Sequence, residues 1–308
     1  MALGSEDREF IITREELEQK TSRWLLNEDA ASSQAFDTIA HAYLEKLHYK
    51  LYKYQRVLYS EAEKDNYLRL KNHLKCHKIS LSCPSKFNDP FDCQFAFPDD
   101  LGGKLFRMSK NSLDAVWRVG CLTEHANNRL MWSHYADSHR GICIEYDFSN
   151  FSAFLDQSLF APVIYSSKRP QFTKQLLDHL NHNQLNLQDR RYLTSALFTK
   201  DTIWEYESEW RILKGVHVCT QYGTSFLCSM CYALPQAPAC YQETPPYIEF
   251  KMPPISAVYF GAAMGYSSEG QAAKKELQNL CERTGIQTFS MQLDLTGYNV
   301  RPEPIHSY

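Results

Sequence analysis

One stretch near the middle of the chain combines alternating apolar and polar positions with a row of carboxylates. Its sequence, at residues 204–212, is Trp-Glu-Tyr-Glu-Ser-Glu-Trp-Arg-Ile. In a β-strand, successive side chains point to opposite faces. One face then carries Trp204, Tyr206, Ser208, Trp210 and Ile212, and the other carries Glu205, Glu207, Glu209 and Arg211. The first face predicts core packing, and the second is either solvated or part of a site.

The spacing of apolar residues elsewhere predicts further helices and strands. Thr13 and Glu16 form a capping-box pattern, which predicts a helix that ends near residue 27, and a second helix follows Ser33. Other helices are expected at 66–77, 104–119, 127–136, 171–201 with a break near 182–187, and 268–284. Strands are expected at 51–54, 79–82, 120–123, 141–146, 161–165, 204–213, 247–250, 257–260 and 286–293.

Many strands with interspersed helices favour an α+β or mixed α/β domain. We expect this domain at residues 49–308, with a helical extension at 1–48 packed on it. Residues 215–244 show no clear period and are interpreted as an insertion or long loop. This insertion contains Cys219, Cys228, Cys231 and Cys240. A single Cys-x-x-Cys without a second pair at the usual spacing is a weak zinc signal, so we expect no metal.

Composition narrows the classes of function. The 308 residues are 44% hydrophobic and carry a net charge of −3, which does not favour an electrostatic nucleic-acid or membrane binder. No apolar run approaches the ~20 residues of a membrane span, and residues 1–7 lack a secretory signal pattern. Ten cysteines spread through the chain are typical of reduced thiols. We expect a cytoplasmic protein, or one exported by a route that reads another signal.

The carboxylates of Glu207 and Glu209 suit chemistry at an anomeric carbon. Cleavage of a ribose–base bond passes through an oxocarbenium-like state, which one carboxylate can stabilise. A second carboxylate can orient or deprotonate the incoming nucleophile. The alternative is a solvated strand face on which Glu209 pairs with Arg211, worth under ~1 kcal/mol. Spacing alone favours this second interpretation.

Two other segments supply candidate pocket residues. In the Met-Trp-Ser-His-Tyr block, Trp132 and Tyr135 share a helical face, so they either stack on a planar ring or pack in the core. The spacing of His134 and His139 does not place both on one helical face, and no third metal ligand is evident. Residues 87–92 form a tight polar turn that suits a structural turn and the wall of a site equally.

Several segments taken together carry a family resemblance. They are Leu51 to Tyr54, Phe87 to Asp92, Met131 to Tyr135 with Gly141 and Glu145, Trp204 to Arg211, and Phe260 with Gly261. Their order resembles the bacterial family known as "domain of unknown function 2971" over roughly residues 50–295. That family in turn resembles the ADP-ribosyltransferase superfamily, which implies mixed and antiparallel sheets with surrounding helices.

The superfamily resemblance implies roles for individual residues. Glu209 matches the catalytic glutamate, and Glu207 matches the upstream glutamate of the arginine-modifying branch. Thr123 is the match to a small hydroxyl residue, with Ser80 or Ser82 as alternatives. Lys53 stands where the superfamily has Arg or His, and it lacks the bidentate fork of arginine. By this resemblance, the residues that hold NAD or line its pocket are Lys53, Tyr54, Asn88, Thr123, Trp132 and Tyr135.

The predicted function is therefore an NAD-dependent mono-ADP-ribosyltransferase, a glycosyltransferase that modifies a protein side chain, with arginine as one candidate acceptor. NAD is its substrate, and no metal is required. The family context implies a bacterial toxin, secreted effector or phage-defence protein. One alternative is an NAD glycohydrolase, with water as the acceptor. Another is a non-enzymatic binding or defence module. Transfer onto nucleic acid is disfavoured by the near-neutral charge.

Overall fold

The computed structural model describes residues 12–26, 30–57, 64–97, 113–114, 116–150, 158–182, 186–216 and 245–305. Its helices are α1 (Arg14–Leu26), α2 (Ala30–Lys46), α3 (Lys64–Cys76), α4 (Arg129–Tyr135), α5 (Lys174–Asn181), α6 (Leu187–Ser195) and α7 (Ser268–Thr284). Its strands are β1 (Lys50–Gln55), β2 (Lys78–Ser82), β3 (Trp117–Thr123), β4 (Ile142–Asp147), β5 (Leu159–Pro162), β6 (Ile164–Tyr165), β7 (Thr199–Lys200), β8 (Glu209–Gly215), β9 (Tyr247–Lys251), β10 (Ile255–Phe260), β11 (Gln287–Leu293) and β12 (Val300–Pro304). Short 3₁₀ helices occupy Pro84–Lys86, Thr202–Glu207 and Met264–Tyr266.

Ten of the described strands form one open sheet with mainly antiparallel pairing. Its main path is β12-β11-β10-β4-β1-β3-β2-β9, and β8 and β5 extend it from β3. Within this sheet β10 and β11 pair in parallel, while β6 and β7 form a separate parallel pair. The expected α+β class with mixed and antiparallel sheets is confirmed to this extent. The finer expectation of an ADP-ribosyltransferase-like arrangement stays a prediction.

The sheet divides at β3. Along one edge β3 pairs with β8 over its whole length, from Trp117 opposite Gly215 to Thr123 opposite Glu209. Along its other edge β3 meets β2 at Val119 and β1 at Thr123. Between these two positions the carbonyl of Cys121 accepts a hydrogen bond from Nζ of Lys53 at 3.3 Å. A lysine side chain thus satisfies a backbone group at the place where β1 and β2 diverge.

The helices α1 and α2 contribute to the main hydrophobic core. Leu17, Leu25, Phe36, Ala40 and Leu44 are buried there together with residues of the central strands. Burial of each leucine or phenylalanine side chain stabilises the fold by about 1.5–3 kcal/mol. Both N-terminal helices therefore share the core of the sheet, while a domain boundary at residue 48 stays a prediction.

One predicted strand starts later than expected. Residues 204–207 belong to a 3₁₀ helix, and β8 begins only at Glu209. The side chain of Asp201 caps that helix by accepting a hydrogen bond from the Ile203 amide at 3.0 Å. Ser208 then adopts a left-handed conformation with φ of 43°. The expected common face of Glu205, Glu207 and Glu209 is therefore wrong, because only Glu209 lies on a strand.

Other boundaries also differ from the sequence expectation. The helix predicted for 104–119 is wrong at its end, because β3 already begins at Trp117. The helix predicted for 171–201 is divided into α5 and α6 and is followed by β7. The strand β12, which contains Pro302 and Pro304, is absent from the sequence prediction. It lies at the sheet edge, where a missing backbone N–H costs no ladder bond.

Two glycines named in the family resemblance lie in contact. The amide of Gly261 donates to the carbonyl of Gly141 at 2.9 Å. A Cβ added to Gly261 would lie 2.1 Å from the carbonyl oxygen of His139. The end of β10 and the turn before β4 approach so closely that only glycine fits at residue 261.

Candidate functional site

A cavity of about 550 Å³ lies beside the division of the sheet. Its walls come from β1, β2 and β3, from α3 and α4, and from the turn after the first 3₁₀ helix. The size is within the range of small-molecule and cofactor sites. Seven of the sequence-predicted site residues line it, namely Lys53, Tyr54, Asn88, Thr123, Tyr135, Glu207 and Glu209.

The eighth predicted residue, Trp132, lies behind the cavity wall. Its side chain is fully buried, and its indole Nε1 donates to the carbonyl of Ala126 at 2.8 Å. Its ring packs edge-on against Tyr54 with centroids 5.1 Å apart. Trp132 is not among the cavity-lining residues, so it supports Tyr54 from the core. Tyr135, three residues further on, reaches the cavity.

Glu207 and Glu209 reach the same end of the cavity by different routes. Glu207 closes the 3₁₀ helix, and its backbone carbonyl accepts a hydrogen bond from Oγ1 of Thr123 at 2.5 Å. The left-handed Ser208 then turns the chain into β8, whose first residue is Glu209. The hydroxyl of Thr123 therefore holds the backbone at Glu207 in this structure.

A buried cation joins these two carboxylates. Nζ of Lys200 donates to Oε2 of Glu207 at 2.5 Å and to Oε2 of Glu209 at 3.0 Å. Nζ of Lys200 also lies 3.8 Å from Oδ2 of Asp92 and 5.0 Å from the ring centroid of Trp204. Lys200 comes from β7, and its side chain is almost completely buried.

A second buried cation holds Glu209 from the other side. Nε of Arg211 donates to Oε1 of Glu209 at 2.8 Å, and its Nη2 donates to both oxygens of Asp92 at 2.9 and 2.7 Å. Its Nη1 donates to the carbonyl of Leu197 at 2.7 Å. Charge-assisted bonds of this geometry are among the strongest polar contacts in proteins. The interpretation of these carboxylates as a solvated face is therefore wrong.

The five charges of this cluster set the protonation of its members. Three carboxylates oppose two cations, so the cluster carries a net charge of −1 when all are ionised. Burial acts to raise the pKa of Glu209, but Arg211 and Lys200 outweigh it and hold that pKa well below its usual range. Burial and the neighbouring Glu209 raise the pKa of Glu207 despite its bond to Lys200. Burial acts to lower the pKa of Lys200, but the carboxylates raise it, so Lys200 stays charged.

Tyrosine and amide groups extend the network into the cavity. The phenol of Tyr135 donates to Oε1 of Glu207 at 2.6 Å, and Nδ2 of Asn88 donates to the Tyr135 oxygen at 3.3 Å. Burial and Glu207 raise the pKa of Tyr135, which keeps the phenol protonated as a donor. Nδ1 of His134 lies 3.0 Å from the hydroxyl of Tyr206 on the neighbouring 3₁₀ helix.

The cavity is also lined by four cationic side chains that are not part of this cluster, namely Lys53, Arg56, Arg69 and Lys86. Arg69 bonds to Asn66 and lies over the ring of Tyr247 at 4.6 Å. Among the described residues, no carboxylate lies within 4.0 Å of a charged nitrogen of Arg56 or Lys86, although Arg56 is close enough to Asp137 to help lower its pKa. These side chains can therefore attract an anionic group of a ligand.

Sequence reasoning missed Lys200, Arg56, Arg69 and Lys86, and it named Asp92 only as part of a turn. Lys200 has no local motif, because the fold of the intervening 3₁₀ helix brings it to the two glutamates. A lysine seven positions before Glu207 gives no signal of its own. The burial of Lys200 follows from the pairing of β7 with β6, which the sequence did not predict.

The structure also bears on metals and membranes. Within the described ranges, there is no group of three or more His, Cys, Asp or Glu side chains that could hold a metal ion. The four cysteines of the predicted insertion, at 219, 228, 231 and 240, lie outside these ranges. None of the described helices has the length and apolar character needed to cross a membrane.

Comparison with known proteins gives a match to a family model. No curated protein and no solved structure is significantly similar to the chain. A family model described as "Protein of unknown function (DUF2971)" matches residues 131–212. The matched segment runs from α4 to the middle of β8 and includes Tyr135, Lys200, Glu207, Glu209 and Arg211. This match supports the family resemblance found in the sequence: the segment that carries most of the charged cluster is similar to the DUF2971 family.

Proposed function

We propose that the cavity binds NAD and that the protein cleaves its nicotinamide–ribose bond, transferring ADP-ribose to a protein side chain. The observation that carries this proposal is the meeting of Glu207 and Glu209 in one cavity that also presents four cations. NAD has a positively charged nicotinamide ring and a negatively charged diphosphate, so it suits a cavity that has both carboxylates and cations in its walls. The superfamily resemblance of the Glu-Ser-Glu motif supports the same reaction.

The charged cluster suits the bond that breaks. As the bond between ribose C1′ and the nicotinamide nitrogen opens, its electron pair leaves with nicotinamide and positive charge develops on the ribose. A buried cluster with a net charge of −1 stabilises that charge without reorganising. The acceptor then bonds to C1′, and Glu207 takes its proton. A raised pKa suits Glu207 to this role, since a base with a pKa near the working pH is most effective.

Other residues that line the cavity suit the diphosphate and the planar rings of NAD. Arg56, Arg69 and Lys86 would hold the diphosphate, with guanidinium groups favouring bidentate contacts. Tyr54 and Phe87 offer ring faces and edges for the planar parts of the ligand. Removing a charged hydrogen bond costs about 1.5–3 kcal/mol, so Arg56→Ala should weaken NAD binding about tenfold or more. Nicotinamide riboside, which lacks the diphosphate, should be affected much less.

One observation favours a second candidate function, a binding module without turnover. Both oxygens of Glu207 and both of Glu209 already accept hydrogen bonds from Tyr135, Lys200 or Arg211. A ribose hydroxyl that binds such a carboxylate would share an oxygen with one of these donors. A purely structural network would look the same.

The deciding experiment incubates the purified protein with NAD labelled in the adenylate part, with and without a cell lysate. Wild type is compared with Glu207→Gln and with Glu205→Gln, a control from the same 3₁₀ helix whose side chain is exposed. We expect nicotinamide release and labelled protein, reduced on the order of a hundredfold in Glu207→Gln and unchanged in Glu205→Gln.

The outcomes separate the candidates. Nicotinamide release without labelled protein would favour the glycohydrolase. NAD binding measured by calorimetry, without release, would favour the binding module. Folded protein that neither binds nor cleaves NAD would refute the proposal.

A further inference from the structure

The first helix reaches the backbone of a candidate catalytic residue. Arg14 lies in the first turn of α1, and its Nη2 donates to the carbonyls of Glu209 and Val163, both at 2.9 Å. Its Nη1 binds the carboxylate of Glu124, and its Nε donates to Glu18 at 2.8 Å. One guanidinium therefore joins α1 to β8 and to the segment that follows β5.

The backbone of Glu209 lies where regular strand pairing starts, so its polar groups need other partners. Its N–H donates to the phenol oxygen of Tyr165 at 2.8 Å. Its carbonyl accepts from the Val163 amide at 2.9 Å as well as from Arg14. Ser208, just before it, is left-handed. Arg14 and Tyr165 thus fix the backbone from which the Glu209 side chain meets Lys200 and Arg211.

Glu124 connects this contact to both N-terminal helices. Its buried carboxylate accepts hydrogen bonds from the Tyr43 hydroxyl of α2 and from Nε1 of Trp210, each at 2.9 Å. It also pairs with Arg14 of α1. Trp210 follows Glu209 directly in β8. Through Glu124, the guanidinium of Arg14 is therefore linked to α2 and to the residue that follows Glu209.

From these contacts we infer that Arg14 is a positioning residue for Glu209. The N-terminal helices then contribute to the geometry of the site. The inference rests on the proposed function for its kinetic readout. A structural role alone would make Arg14 a link between α1 and the core, with no particular effect at Glu209. The two roles make different predictions for substitution of Arg14. A positioning role predicts that the backbone at Glu209 is loosened more than the rest of the fold, and a structural role predicts no such difference.

The test uses Arg14→Ala, the conservative Arg14→Lys, and Arg23→Ala as a control, since Arg23 is an exposed arginine of the same helix. Amide exchange by NMR reports the opening of the Val163 and Glu209 amides relative to the global value. We expect Arg14→Ala to speed exchange at these two amides about tenfold beyond any global change, as for loss of one charged hydrogen bond.

Kinetics with NAD supply the second readout. A small displacement of a reacting group costs up to about a hundredfold, so Arg14→Ala should lower kcat tenfold to a hundredfold with KM within about twofold. Arg14→Lys should recover part of the loss. If Arg14→Ala does not fold, Tyr165→Phe, which deletes only the oxygen that accepts from the Glu209 amide, should give the same two effects.

The result separates this inference from the proposed function. Local exchange and kcat that change no more than in Arg23→Ala would overturn the positioning role, even in an active enzyme. Accelerated local exchange in a protein that does not turn over NAD would support the positioning role and refute the proposed function.

Discussion

Replacing Lys200 by methionine tests whether the buried lysine holds the carboxylate cluster together. Methionine keeps most of the side-chain volume and removes the charge. Lys200 makes two charged hydrogen bonds, to Glu207 and Glu209, and lies 3.8 Å from Asp92. Without it the cluster changes from a net charge of −1 to −2 while still buried. Removing one partner of a buried ion pair costs about 3–5 kcal/mol, which is a large part of the 5–15 kcal/mol typical of a whole domain.

Urea unfolding at several pH values is the assay. With a slope of about 2–3 kcal/mol/M, the midpoint at neutral pH should fall by about 1–2 M. The pH dependence has a definite sign. The pKa of Glu207 is raised on folding, so stability falls as pH rises from its unfolded to its folded pKa. Loss of Lys200 raises that folded pKa further. The deficit of the variant should therefore be largest at neutral pH and shrink toward pH 5.

Lys275→Met supplies the control, because Lys275 is exposed on α7 and methionine has a similar helix propensity. It should change stability by less than about 0.5 kcal/mol. The reasoning fails if the Lys200 variant is no less stable than this control at neutral pH. A deficit that is independent of pH would also contradict it, because lost packing rather than carboxylate repulsion would then be the cause.

Two further changes test the hydrogen bond to Glu207 and the glycine contact. Tyr135→Phe removes the donor 2.6 Å from Oε1 of Glu207, so the pKa of Glu207 should rise and the acid limb of the pH–kcat profile should move to higher pH. An unmoved acid limb would show that Glu207 is not the group that titrates. Gly261→Ala places a Cβ 2.1 Å from the carbonyl oxygen of His139 and should cost about 3 kcal/mol in thermal unfolding. Gly265→Ala, with no atom within 4 Å, should stay within about 0.5 kcal/mol of wild type; equal losses in both would contradict the contact.

The sequence predicts this fold best where the signal is local. The capping box is present: the Thr13 amide donates to Glu16 at 2.8 Å, and the Glu16 amide donates to Oγ1 of Thr13 at 3.2 Å. Apolar spacing likewise locates α3, α7 and the central strands within a few residues. The 3₁₀ helix that replaces the predicted strand at 204–208 also has a local signal, because Asp201 is a residue type typical of a helix N-cap. The alternation of aromatic and acidic residues that follows favours a strand and outweighs this helix signal.

The ion pairs of the charged cluster could not be predicted from neighbouring residues in the sequence. Glu207 and Glu209 are two residues apart in the sequence, yet their carboxylates meet through a left-handed turn at Ser208 and a shared lysine, Lys200. The pairing of Arg211 with Asp92 joins residues 119 positions apart in the chain. Such pairings depend on which strands become neighbours. Seven of the eight site residues predicted from the sequence therefore line the cavity, but the ion pairs that control their charge were not predicted.

The contacts of Arg14 have a consequence for how the chain folds during synthesis. Its partners Glu124, Val163 and Glu209 follow it by 110, 149 and 195 residues. At about 5–20 residues per second, a ribosome needs roughly 10–40 s to reach the last of them after making α1. Throughout that interval the apolar side of α1, with Leu17 and Leu25, has no completed sheet to cover it. The helix α1 thus gains these contacts only late in synthesis, and a nascent chain in this state is a natural client for chaperones.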